Sequence, residues 1–318
     1  MLDLLHAMPD KDYFRHGEPP ASIMDSVQAD GRPYLALVGA PGVWDVAGHP
    51  ALPLLGVFKT NDRDNAGMPA STHWQLILTA PGSEELAVLP WKESDKLPPA
   101  KPIKATPPPP GSRPKTTYSF AQEWRDVEFS RLPEGPRAWK AVLLAGNFLS
   151  NPVNIAMTGL APGLPKPLAP AVAAKPAAAY PEAERKLYAA DAAHPPLPDS
   201  GVAFAQPVVE GPPDRSVIPL RGAFRLPDAP PADAEALRLH LLFSGPDVPG
   251  GLRKTLAIPL AFVEIRGAEA RGRFQIDLAA LFRGPSGKVV VPAELYVTAI
   301  RGSYIGRPTR VEAGKHTP

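Results

Sequence analysis

A chain of 318 residues with 44% apolar and 21% charged residues is long enough to bury two cores and too apolar to be disordered. Its 44 prolines and 26 glycines disfavour long helices, and the absence of cysteine excludes disulfides, thiolate metal sites and thiol nucleophiles. Net charge is +2, the sum of about −2 over residues 1–160, 0 over 161–200 and +4 over 201–318, with the second half's arginines scattered instead of clustered as nucleic-acid binding requires.

Residues 1–30 carry Pro9, Pro19 and Pro20 among charged residues and read as an N-terminal arm. No apolar run approaches a membrane span, and the start lacks the pattern of a secretory signal. A soluble protein is therefore expected, with the compartment, cytoplasmic or exported with its signal already absent, left open.

From residue 31 the pattern turns to strands. Apolar alternation is expected over 34–38, 54–59, 74–78, 86–89, 118–129, 139–145 and 148–156. Between the fourth and fifth of these, residues 97–116 are dominated by proline, which supplies no ladder donor, and predict an extended insertion. Residues 161–200 are rich in Pro and Ala and read as an interdomain linker. One short helix is expected inside it, opened by Pro181, with Glu182 and Glu184 in the first turn and Glu182 paired to Lys186. Seven further strands are expected over 202–206, 217–225, 237–244, 255–265, 271–280, 294–301 and 304–311, which is the spacing of a sandwich. In 237–241 and 274–278 the alternation predicts one core face and one wet face.

Two stretches occur twice. LPLLGVFK at 52–59 returns as IPLRGAFR at 218–225, and the same offset carries Pro41 onto Pro207 and Val38 onto Phe204. GNFLSNP at 146–152 with Ile155 returns as GSYIGRP at 302–308 with Val311. The expected fold is all-β: two tandem, homologous antiparallel β-sandwich domains, Ig-like or jelly-roll-like, at 31–160 and 201–315, joined by the Pro/Ala linker.

No motif anchors a reaction. There is no nucleophile elbow, phosphate loop or dinucleotide fingerprint. The histidines, His6, His16, His49, His73, His194, His240 and His316, are not spaced to share a strand or helical face, so no metal and no cofactor is expected. Asp126 with Glu128, and Asp277, are the carboxylates that could do acid or base work, and a solvated strand face is their ordinary use.

Tryptophan gives the one functional hint. Trp44, Trp74, Trp91, Trp124 and Trp139 all fall in the first half and none in the second. If both copies share a fold, the second shows that the scaffold fills without tryptophan, which frees some rings for a partner. Trp74 and Trp139 start apolar alternations and read as core. Trp44 and Trp91 stand in turn regions beside Asp45 and Lys92 and are the candidate binding residues. The expected function is non-catalytic: a binding, accessory or structural protein that engages another protein through sandwich faces or edges. Two alternatives stand beside it, a carbohydrate-binding module using surface tryptophans on a glycan, and an enzyme with a strand-assembled carboxylate or histidine site.

Overall fold

The computed structural model describes residues 34–39, 44–46, 49–61, 73–80, 84–91, 118–128, 131–132, 138–156, 175–211, 217–230, 234–248, 251–284, 287 and 289–312. These are mostly antiparallel β-sheet. The chain divides into two compact units, Met1–Leu78 with Ala87–Pro162, and Thr79–Leu86 with Gly163–Pro318. The expected arm at 1–30 and the insertion at 97–116 lie outside the described residues.

The first run of strands is β1 (Tyr34–Gly39), β2 (Trp44–Val46), β3 (His49–Asn61), β4 (Gln75–Thr79) and β5 (Leu86–Pro90). It continues with β6 (Tyr118–Glu128), β7 (Ala138–Ala145), β8 (Phe148–Leu149) and β9 (Val153–Ala156). In one sheet β3 is the spine, with β1 and β2 on different stretches of it and β6 along its length. A second sheet runs β5-β4-β7-β8, with β9 also on β7. The core lies where Leu37, Leu54 and Phe58 of the first sheet meet Trp74, Trp139 and Leu143 of the second, all at most 1% exposed. Phe58 sets its ring 6.0 Å from Trp74 and edge-on, 5.2 Å, to Phe148.

After a 3₁₀ turn at Ala177–Ala179 and a short helix α1 (Glu182–Lys186), the second run begins with β10 (Gly201–Phe204), β11 (Pro219–Leu226), β12 (Ala236–Ser244) and β13 (Arg253–Pro259). Then come β14 (Glu264–Arg266), β15 (Glu269–Asp277), helix α2 (Leu278–Leu281), β16 (Leu295–Arg301), β17 (Tyr304–Ile305) and β18 (Thr309–Val311). Their sheets run β10-β11-β15-β14 and β13-β12-β16-β17, with β18 also on β16. Between them lies one apolar cluster, with Leu220 and Phe224 from β11, Leu239 and Phe243 from β12, Phe274 from β15 and Val297 from β16.

Strand order and register recur. Trp139 pairs with Ile155 as Leu295 pairs with Val311, and Ala145 pairs with Phe148 as Arg301 pairs with Tyr304. The two-residue loops inside those last pairs open on Gly146 and Gly302, at φ 60° and 52°, where a Cβ is strained. At the front edge the repeat offset slips by one. Gly56 lies opposite Leu37, whereas Gly222 lies opposite Phe204, so Leu37, not Val38, holds the register position of Phe204.

Sheet faces depart from the expected alternation. In β4 the residues between the core-facing ones, Gln75, Ile77 and Thr79, are at most 1% exposed. Val142 and Leu144 of β7, and Leu242, Thr298 and Ile300 in the second unit, are likewise buried away from the wet surface. These buried positions carry apolar or uncharged side chains, which a sheet face can bury without stranding a charge, whereas Arg238 on the same face of β12 stays exposed. By contrast β15 alternates as expected, with Ala270, Phe274 and Ile276 buried and Arg271, Arg273 and Gln275 half-buried.

The described part of the proline- and alanine-rich segment is not a bare tether. Pro181 stands at the N-cap position of α1, one residue ahead of the first helical one, Glu182 and Lys186 form the expected pair at 2.9 Å, and Tyr180 and Tyr188 flank Phe262 at ring distances of 5.3 and 5.0 Å. Aromatic packing of this kind holds the segment to the second unit, with which it is grouped.

Candidate functional site

Of the two candidate binding tryptophans, Trp91 overturns the expectation of a surface ring. It is 2% exposed, with its ring 6.3 Å from Trp74. Lacking a side chain, Gly56 lets the ring in: a Cβ there would stand 3.1 Å from Trp91, 3.2 Å from Trp74 and 2.9 Å from Leu143. The turn position of Trp91 was misleading because its backbone N–H still donates to the carbonyl of Trp74, which extends the strand pairing by one residue and turns the ring inward. Trp44 lies in β2 opposite Ala51, and its side chain is outside the described residues. The side chains of Trp124, Asp126 and Glu128 lie outside them too. Trp74 and Trp139 are core, at 0% and 1% exposure.

Asp277 is occupied structurally. Its Oδ1 accepts the backbone N–H of Ala279 as the cap of α2 and that of Ile218 on the neighbouring strand, each at 2.9 Å. His194 Nδ1 stands 2.8 Å from Asp191, whose other oxygen lies 3.4 Å from Arg221 Nε, and Arg221 Nη2 donates to Glu210 at 2.9 Å. Burial pushes the Asp191 carboxyl up, but its bonds to His194, the Ala193 N–H and Arg221 outweigh that and hold it below the ordinary range. His240 pairs with Thr255 at 3.0 Å, and burial, with Arg253 and Arg238 nearby, lowers its imidazole to about 4. Among the described residues no group of three or more His, Asp or Glu is placed to hold a metal ion, and no helix is long and apolar enough to cross a membrane.

The geometry that sequence reading missed is a groove of about 420 Å³ in the second unit. Residues 254–257 of β13 form one wall and residues 274–277 of β15 the other, with Leu187, Tyr188, Ala280 and Leu281 at the ends. Both walls are strand edges. β13 ends its sheet, and β14 pairs with β15 only as far as Arg271, so beyond that point neither edge has a ladder partner among the described residues. On the opposite side of the unit the sheets are stitched: Gln206 donates to the Arg310 carbonyl at 3.2 Å and accepts the Glu312 N–H at 2.8 Å. Asn151 does the corresponding work in the first unit, accepting from the Leu37 N–H at 3.0 Å and donating to its carbonyl at 2.9 Å. No local motif could have announced the groove, because it results from β14 being three residues long while β15 is nine.

Compared with protein-family models and with curated proteins, the sequence matches none.

Proposed function

We propose that this chain is a non-catalytic binding or accessory protein, built from two tandem homologous β-sandwich domains, that engages another protein through strand edges. The observation that carries the reading is the pair of unpaired edges, β13 and the later part of β15, that wall an open groove. Exposed edges are ordinarily covered or blunted, and one left accessible is a site for adding a strand. Support for the tandem arrangement comes from the recurring strand order and from the matched pairs Trp139 with Ile155 and Leu295 with Val311. The faces of β4 and β7 are both buried, which leaves, among the described residues, strand edges and the outer face of the β10-β11-β15-β14 sheet to meet a partner. Trp44 remains the tryptophan to test on such a surface.

Affinity purification of the tagged full chain from native extract, followed by reconstitution with the recovered protein, tests the reading. We expect a stoichiometric complex that Trp44→Ala weakens while leaving the melting temperature in place. Absence of any stoichiometric protein partner, with Trp44-dependent retention on a glycan array, would replace this reading by the carbohydrate-binding one. Crystallographic positions of Phe58 and Phe224 on opposite faces of their sheets would remove the tandem arrangement.

A further inference from the structure

The groove of the second unit carries its own specification for a ligand. Its long walls are backbone, and a peptide in extended conformation is the ligand whose own backbone matches a strand edge, one N–H and one C=O at every second residue. The wall on β15 is the better template. Phe274 and Ile276 are anchored in the core, so the register of that strand is fixed, and β14 already occupies the line next to β15 as far as Arg271. A peptide beside 273–277 prolongs the line that β14 begins. The opposite wall supplies charge. Lys254 is exposed and has no carboxylate partner among the described residues, whereas Asp277, the carboxylate of the lining, is already committed to the Ile218 and Ala279 N–H groups. Arg253, one residue away on the same strand, projects to the other face, beside His240, and leaves Lys254 as the cation of the groove. The groove therefore offers, at its β13 wall, one cation without an ion pair facing a backbone ladder, with Tyr188, Leu256 and Leu281 as apolar contacts.

We infer that this groove binds an extended acidic peptide segment of a partner protein, added as a strand to the 273–277 edge of β15 with a carboxylate side chain at Lys254. The inference rests on the protein-binding reading above and names its site and partner chemistry.

A set of fluorescein-labelled seven-residue peptides tests it on the full chain by fluorescence anisotropy. Each alternates Val and Thr, with Glu, Gln or Lys at the centre, and two controls carry either a central Pro or N-methylated alternate amides on the Glu version. We expect the Glu peptide to bind at least tenfold more tightly than the Lys peptide, and Lys254→Glu to invert that order while leaving the melting temperature unchanged, since Lys254 is exposed. Both controls should lose at least tenfold, and bound Glu peptide should slow amide exchange over 273–277. Equal binding of the N-methylated peptide would mean that the groove reads an anionic side chain without a ladder, and would overturn strand addition. Protection confined to 253–257 would overturn the assignment to β15, and indifference to Lys254→Glu would overturn the acidic specificity. The two readings fail separately. A native partner that Lys254→Glu protein retains at full affinity sinks the groove and leaves the protein-binding reading standing, whereas the lack of any native partner sinks the latter.

Discussion

At Gly56 three side chains, those of Trp74, Trp91 and Leu143, converge on the place where a Cβ would be. Gly222 repeats the arrangement in the second unit, where its Cβ would overlap the Phe274 ring. Interiors packed this tightly resist an added methyl, so Gly56→Ala and Gly222→Ala should each cost about 1–3 kcal/mol in urea unfolding. Trp91→Ala removes what Gly56 makes room for, and the expected loss is about 3–5 kcal/mol, as for other buried tryptophans. A Trp91→Ala protein that melts like the parent would return the ring to the surface. His240 sets a pH dependence. Its folded value of about 4 is below the ordinary 6.5, so the fold favours the neutral ring. That contribution is fully present above about pH 6.5 and is lost as pH falls toward 4, because the unfolded chain takes up the proton first. Allowing for solvent screening, the loss is on the order of 2 kcal/mol. Unfolding free energies measured across that range should slope in the parent and flatten in His240→Gln; a slope that survives the substitution assigns the effect to other groups.

Among the elements, α1 depends on one aromatic. Phe262 sits between Tyr180 and Tyr188, and the five-residue helix is too short to persist without that packing. Phe262→Ala should therefore speed tryptic cleavage after Arg185 and Lys186 several-fold, before the strands are cut, which mass spectrometry of early fragments reads directly. The two hairpins closed by Gly146 and Gly302 make a parallel case. Ala at either position should cost about 1 kcal/mol or more because of the positive φ, while Asn147→Ser, which gives the first loop the residue of the second, should stay within about 0.5 kcal/mol. Strands were readable where apolar residues alternate, and their ends were not, for local reasons. The strand expected over 255–265 breaks at Pro259, which has no N–H to give, and a 3₁₀ turn at Leu260–Phe262 follows. The one expected over 271–280 stops at Asp277, whose carboxylate caps a helix instead of continuing the ladder.

For the whole molecule, the repeat of Pro, Gly and aromatic positions carried most of what could be foreseen. Strand existence and order follow from alternation and turns, both local. Two-sided burial of β4 and β7 was available in the strings QLILT and AVLLA, whose apolar residues occupy both parities, although a reading fixed on alternation passes over it. The groove was out of reach because it depends on which edges remain unpaired after all the others have paired, a property of the assembled sheets and of no segment within them. Trp91 belongs to the same class, since its direction is set by Gly56 thirty-five positions earlier.

The amide stitches also govern when each unit can finish folding. Asn151 reaches back 114 residues to Leu37, and Glu312 reaches back 106 to Gln206. Contacts of such separation are slow to form, because the entropy of closing the loop is lost before the contact rewards it. During synthesis the edge of β1 waits, unstitched, until the end of its own unit has left the ribosome. If β9 is delayed, the C-terminal strand β18, which pairs with β16 in the register that β9 uses on β7, is the competitor closest in kind. Misassembly of this chain would accordingly take the form of a strand exchanged between the two units, and a translational pause once β9 has cleared the ribosome would guard against it.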